Sequence, residues 1–328
     1  MMNTTAILSH LKRNNTQGNT VCLLSNHLYQ TIAQVWSELP GVKLVYEPLS
    51  NYNKEFLTLL TTLGITIKCS NQELLENLTR KQNVVIGTEN LTSSFIRNAY
   101  TRGYNNFAAS GESCDVIKLT NILGNNFRLT EQFSKEEGTD TIVKEVLSVS
   151  GRPAREICLG VLETLTEIRA LKNSFMELKR NLPADTVLNV ELGQELFQST
   201  SLIATKIIVT KNQDGQTRYD IDMSMFEEFA SYLDTGHNFT VHSQHEDRTM
   251  FSSVYGNTGD EDDLILKGNV GELDVGDWLL IGNVGQADCR GLDIILLDKD
   301  YRVVTKRRPS NSISNSLDQD TNLLTVSA

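Results

Sequence analysis

The chain has 328 residues and a formal net charge of -11, with 39% of its residues hydrophobic and 22% charged. That length carries two domains with substantial cores, and the acidic balance argues against nucleic acid as the main partner, because phosphate contacts need clustered Lys and Arg. No apolar run approaches the roughly 18 residues a membrane span needs. The polar start MMNTTAILSHLKRNN has no signal-peptide core, so a cytoplasmic location is expected. Cys22, Cys69, Cys114, Cys158 and Cys289 are widely spaced with no CxxC pair, which points to reduced thiols rather than disulfides or a zinc site.

Residues 1–20, rich in Asn and Thr, read as a loose N-terminal arm. Val21-Cys22-Leu23-Leu24 reads as a strand. Residues 28–39 place Leu28, Ile32, Val35, Trp36 and Leu39 on one face of a helix that Pro40-Gly41 ends. Strands at 42–46, 65–67 and 84–86 alternate with helices at 53–63 and 72–78, a pattern that predicts a parallel βα sheet. Residues 92–101 and 113–123 read as helices, Phe127-Arg128-Leu129 as a strand and the polar stretch 130–140 as a loop. Residues 146–151 read as a strand, Pro153 opens a long helix to about Arg180, and residues 187–194 contain another strand. After Ser199, alternation at period two (202–210, 217–222, 238–243) marks a sheet domain.

The expected architecture is α/β plus all-β. It consists of an incomplete (β/α)₈ TIM-like barrel over residues 21–198, a C-terminal β-barrel or sheet domain over 199–305, and a Ser/Asn-rich disordered tail over 306–328. A complete barrel takes about 250 residues. The stretch from Val35 to Gly193 is well short of that, so one or more βα units are expected to be missing.

Residues 251–286, FSSVYGNTGDEDDLILKGNVGELDVGDWLLIGNVGQ, are divided by Gly256, Gly259, Gly268, Gly271 and Gly276 into short segments. Leu264-Ile265-Leu266 and Trp278-Leu279-Leu280-Ile281 read as buried strands, and Asp274-Val275-Gly276-Asp277 as a turn. The wording resembles the sheet domain of the pyridoxal phosphate-dependent ornithine/arginine/diaminopimelate decarboxylases, an ornithine decarboxylase-like pattern on the alanine racemase-like fold. The family's W-G-P-T-C-D-x-x-D loop reads here from Tyr255 to Asp263, and its V-G-D-W segment ending G-A-Y reads from Val275 to Ala287. Its F-Y-A-V-K-C-N strand resembles residues 45–51, F-D-C-A-S resembles Ile67-Lys68-Cys69-Ser70, F-H-V-G-S-G resembles residues 146–151, and E-P-G-R resembles Glu191-Leu192-Gly193-Gln194.

The resemblance implies a frame kept and a chemistry lost. Leu49 stands for the Schiff-base lysine, Lys68 for an aspartate, Ser148 for the histidine stacked on the cofactor ring, Gly259 for the catalytic cysteine and Ala287 for the active-site tyrosine. Arg128, Glu191, Gly193 and Gln194 are vestiges of the cofactor site: Glu191 keeps the carboxylate at the pyridine nitrogen, while Gln194 replaces a phosphate-binding arginine. A leucine has no amine to form an imine, a glutamine makes no charge-assisted phosphate contact, and no Gly-Gly pair supplies a phosphate loop. Pyridoxal phosphate is therefore expected not to bind. Asp222 and Asp260 stand where the family's carboxylates hold the substrate's distal amine, and Arg128 with Glu191 is expected to form an ion pair left inside the barrel.

Within this family, antizyme inhibitors are decarboxylase-shaped proteins without activity that bind antizyme. The family's antizyme-binding helix-loop-helix aligns with residues 95–119, where Arg97, Arg102 and Lys118 would supply a positive face, although the same charges also read as an ordinary solvated surface. The implied function is a catalytically inactive regulator of polyamine metabolism whose partner is antizyme or an active decarboxylase paralogue. The alternative is an ornithine decarboxylase of putrescine biosynthesis. No metal is expected: His237, His242 and His245 read as a strand-and-loop cluster, and Asp260 to Asp263 lacks the alternation of an EF-hand loop. Arg307-Arg308-Pro309-Ser310 resembles a basic-directed kinase site.

Overall fold

The computed structural model describes residues 4–307 apart from 15, 17, 49–53, 79–82, 89–91, 111–113, 149–155, 214, 234–236, 244–247, 286–291 and 299. The chain opens with helix α1 (Thr4–Arg13), whose Ile7, Leu8 and Leu11 recur at helical spacing and are buried. They pack with Cys22, Leu202, Trp278, Leu280 and Ile295 in a second, smaller core. The loose arm expected over residues 1–20 thus contains a docked helix, because three large apolar side chains fall on one face. Strand β1 (Thr20–Leu24) is buried along its length, and α2 (Ser25–Glu38) turns Leu28, Ile32 and Val35 inward while Trp36 stays 40% exposed.

Strand and helix then alternate: β2 (Lys43–Tyr46), α3 (Lys54–Thr62), β3 (Thr66–Cys69), α4 (Gln72–Asn77), β4 (Val84–Gly87), α5 (Ser93–Thr101), β5 (Asn106–Ser110), α6 (Cys114–Leu123), β6 (Arg128–Phe133), α7 (Thr139–Ser148), β7 (Glu156–Leu162), α8 (Leu165–Asn181) and β8 (Val187–Leu192). All neighbours are parallel and β8 pairs back onto β2, so these seven strands close a barrel with one βα unit fewer than eight. Fewer strands make a narrower bore, and a small cluster of Val45, Val85, Ala108 and Cys158 packs together. Helix starts are fixed by side chains that accept backbone N–H groups: Asn71 from Leu74 (2.8 Å), Thr92 from Phe95 (3.3 Å) and Thr164 from Glu167 (3.1 Å).

Several expected elements differ. Residues 106–110 form a barrel strand between the two helices, which Ala-Ala-Ser, lacking β-branched residues, did not advertise. The loop expected over residues 130–140 is confined to 134–138, with the end of β6 before it and the start of α7 after it. Residues 146–148 close α7 instead of opening a strand, because Ile142 and Val146, four apart, are buried together on one helix face. The helix expected from Pro153 begins at Leu165, after β7.

A 3₁₀ helix (Gln194–Thr200) leads into the sheet domain: β9 (Ser201–Gln213), β10 (Gln216–Ile221), β11 (Thr240–Ser243), β12 (Thr249–Tyr255), β13 (Leu264–Gly271), β14 (Trp278–Gly282), β15 (Asp293–Leu297) and β16 (Val303–Arg307). Its order is β13-β12-β10-β9-β1-β15-β16, with β14 between β9 and β11. β1, expected in the barrel, lies in mid-sheet, antiparallel to β9 and parallel to β15, and Ser25 Oγ donates to Leu297 O at 2.7 Å. The barrel therefore starts at Lys43, and the ordered sheet runs past residue 305 to Arg307. Residues 308–328, with most of the expected kinase site, lie outside the described residues. No helix among the described residues is long and apolar enough to cross a membrane.

Candidate functional site

The C-terminal ends of parallel barrel strands are where such folds gather chemistry. At that end β8, β2, β3 and β4 lie side by side and carry Glu191, Glu47, Lys68 and Gly87. Lys68 Nζ is 2.9 Å from Glu47 Oε2 and 3.2 Å from Glu191 Oε2, and the side chains of Lys68 and Glu191 are each only 7% exposed. Ser70 donates its hydroxyl to the other Glu47 oxygen. Gly87 leaves the room this arrangement needs, since a Cβ there would lie 3.0 Å from Ser70 Oγ and 3.4 Å from Lys68 Cε. Burial pushes the nearby Cys158 thiol up to about 12, with the Glu191 charge acting in the same direction and Lys68 against it.

A second set of contacts closes the rim. Tyr46 donates its hydroxyl to Gln194 Oε1 at 2.6 Å, and Gln194 Nε2 donates to the Glu47 carbonyl at 2.9 Å, so both ends of the Gln194 amide are used. Burial holds the Tyr46 hydroxyl protonated far above its ordinary range. The Glu163 carboxylate lies over Gly193, where any Cβ would overlap it, and accepts the Glu195 N–H at 3.2 Å. Beside the rim a cleft of about 400 Å³ is lined by His27, Gln30, Gln34, Glu163, Glu195 and Ser199, among others.

The sheet domain places Asp222 and Asp260 in exposed positions, with Asn257 Nδ2 reaching Asp222 Oδ1 at 3.5 Å. Gly259, where the resemblance places the family's cysteine, has φ +78, a left-handed backbone that a cysteine side chain would strain. Asp263 is fully buried, and Arg218 stacks on Tyr255 (3.9 Å) while bonding Asp220 and Glu261 at 2.7 and 2.8 Å.

Other expected residues are separated from the mouth. Arg128 opens its strand at the opposite end of the barrel, is exposed and donates to Asn105 Oδ1 at 3.4 Å, so the expected Arg128–Glu191 pair is not formed; Lys68 takes that carboxylate instead. Ser148 ends α7, and Leu49, Ala287 and His245 lie outside the described residues. Residues 95–119 are helix-strand-helix, not helix-loop-helix. Arg97 and Arg102 are exposed and Lys118 is half-buried. His237 bonds the Asn283 carbonyl at 2.7 Å and packs on Tyr232 and Phe239. Among the described residues no three His, Cys, Asp or Glu side chains are grouped to hold a metal ion.

Glu47, Ser70 and Glu163 were not singled out from sequence. Their one signal was position: each stands within a residue or two past an apolar strand in a βα repeat, where side chains face the mouth.

The family model described as pyridoxal-dependent decarboxylase, C-terminal sheet domain, matches residues 44–285. No curated protein matches the chain. Among solved structures, lysine/ornithine decarboxylase from Vibrio vulnificus complexed with cadaverine superposes with a TM-score of 0.71 at 14% identity, covering 90% of this chain and 99% of that one. Arginine decarboxylase of Paramecium bursaria Chlorella virus bound to agmatine gives 0.69 at 14% identity, covering 86% and 94%. Lysine decarboxylase from Selenomonas ruminantium gives 0.68 at 13% identity, covering 87% and 91%.

Proposed function

The chain belongs to the pyridoxal-dependent decarboxylase family, and from that premise we propose that it is a catalytically inactive member that regulates polyamine metabolism through a protein partner, antizyme or an active decarboxylase paralogue. The observation that carries this reading is that the polar groups of the barrel mouth are spent on one another. Lys68 sits on Glu191, the carboxylate that the resemblance assigns to the pyridine nitrogen, and the Gln194 amide is spanned by Tyr46 and the Glu47 carbonyl. The Glu163 carboxylate stands over Gly193 and takes the Glu195 N–H, at the turn where the family places an arginine for phosphate. The residues present therefore do not fit pyridoxal phosphate: an anion would meet negative charge, the ring nitrogen would compete with a buried ammonium, and residue 49 has no amine.

Two measurements test it. Protein mixed with pyridoxal phosphate and reduced with borohydride is expected to yield no cofactor-bearing peptide, and labelled ornithine, lysine and arginine are expected to release no carbon dioxide above a buffer control. Stable labelling at Lys68, or turnover that scales with protein, would establish the competing reading of an amino-acid decarboxylase. That reading is favoured by the fold shared with lysine/ornithine and arginine decarboxylases. The partner is sought by co-purification from source cells, with antizyme or an active decarboxylase expected in the eluate.

A further inference from the structure

We infer that Lys68 is the resident counter-ion of Glu191: an ammonium built into the chain, held between Glu47 and Glu191, that offsets the inner carboxylate in place of a small cation or cofactor. The inference rests on the non-catalytic reading only in taking the mouth to be filled by its own side chains. Four neighbouring strands argue for it together. Glu191 comes from β8 and Glu47 from the end of β2, Lys68 comes from β3 between them and β4, and β4 contributes Gly87, where a Cβ would lie 3.4 Å from Lys68 Cε and crowd Ser70 Oγ at 3.0 Å.

Glu191 and Lys68 are buried close to apolar Val45, Val85, Ala108 and Cys158, and an ionised carboxylate there without a cation would be strongly disfavoured. Glu47 is about one-third exposed, so water reaches the outer carboxylate and not the inner one. The inner pair is thus where the ammonium matters most.

Thermal unfolding of the full chain, followed by circular dichroism, tests this with Lys68→Met, Lys68→Ala and the double variant Lys68→Met/Glu191→Met. Methionine keeps the bulk of the stem and removes the charge, so the midpoint of Lys68→Met should fall by about 5–10 °C, and the double variant should regain most of that loss. n-Propylammonium chloride supplies the three carbons and the ammonium that Lys68→Ala removes. It should raise the Lys68→Ala midpoint and leave the wild type unmoved, while sodium chloride and n-propanol at equal concentration raise neither midpoint. A Lys68→Met midpoint equal to that of the wild type, or an equal response to n-propanol and n-propylammonium, overturns the inference. Should the single variants fail to fold, recovery of folded protein in the double variant supports it and failure there overturns it. Carbon dioxide release by the wild type would sink the non-catalytic reading without altering these midpoints, so the two failures are distinguishable.

Discussion

The carboxylate of Asp263 lies directly against Gly256, leaving no space for a side chain between them. The two residues also join through their backbones, Gly256 N–H to Asp263 O at 2.8 Å. Fully buried, Asp263 accepts from Ser224 Oγ (3.2 Å), Met225 N (2.6 Å), Thr258 N (3.2 Å) and Thr258 Oγ1 (2.7 Å). Within the run Asp260 to Asp263 this last acid is therefore structural. Asp263→Ala should cost about 2–4 kcal/mol, since buried donors lose their acceptor. Exposed Asp260→Ala should stay within about 0.5 kcal/mol. Urea unfolding of the two variants checks the contrast; equal costs would contradict it.

Thr205 on β9 is fully buried, and its hydroxyl has no hydrogen-bond partner among the described residues. Valine has nearly the same shape without the polar atom. Thr205→Val should stabilise the protein by about 0.5–1.5 kcal/mol, seen as a higher urea midpoint at unchanged slope. A lower midpoint would show that the hydroxyl is satisfied in solution.

Glu167 caps α8, with its carboxylate bonded to Lys135 and to the Glu163 N–H. The Lys135 hydrogen bond, assisted by the backbone N–H groups, holds it below its ordinary 4.5 against the opposing effect of burial. A carboxylate whose folded value lies below its unfolded value stabilises the fold above the unfolded value and loses that contribution as pH falls through the folded one. Wild type should therefore exceed Glu167→Gln by no more than about 1 kcal/mol near neutral pH, given the partial exposure of both partners. The gap should close on acidification below about pH 4. Paired denaturant titrations across that range decide it; a gap independent of pH would assign the effect to packing.

Arg97 and Arg102 stand exposed on α5 and at its end, and Arg102 touches Glu76 only at 3.9 Å. Under the proposed function with antizyme as the partner, Arg97→Glu with Arg102→Glu should leave the circular dichroism spectrum intact and weaken that binding by about 1–3 kcal/mol, with added salt acting on the unmodified protein in the same direction. Titration calorimetry measures both. Binding indifferent to charge and salt would remove this face from the partner surface.

The barrel was legible where helix and strand periods were strong: the alternation over residues 42–86 and the period-two pattern after residue 199 both correspond to described elements. It was not legible where small residues made a strand, as in β5, or where β-branched residues sat in a helix, as in α7, because tertiary burial overrode local preference there. Family positions also misled. Arg128 and Glu191 occur in the expected wording, but a parallel strand that begins with one and a strand that ends near the other hold them at opposite ends of the barrel. Lys68 stands in the sequence only as a replacement for an aspartate, while its carboxylate partners come from two other strands, a relation that only closure of the ring creates.

β1 must wait for its partners during synthesis. It is made before any barrel strand, yet its two neighbours are β9 and β15, and the second of these emerges near the end of the described chain. All seven barrel strands have been made once Leu192 has left the ribosome, and none of them pairs with β1. Until β9 and β15 have been made, β1 lacks both of its sheet neighbours, and Cys22, Leu24 and the apolar face of α1 lack their cover. A ribosome stalled short of residue 293 would leave that edge open, making the last strands the ones that decide whether the first becomes sheet or aggregate.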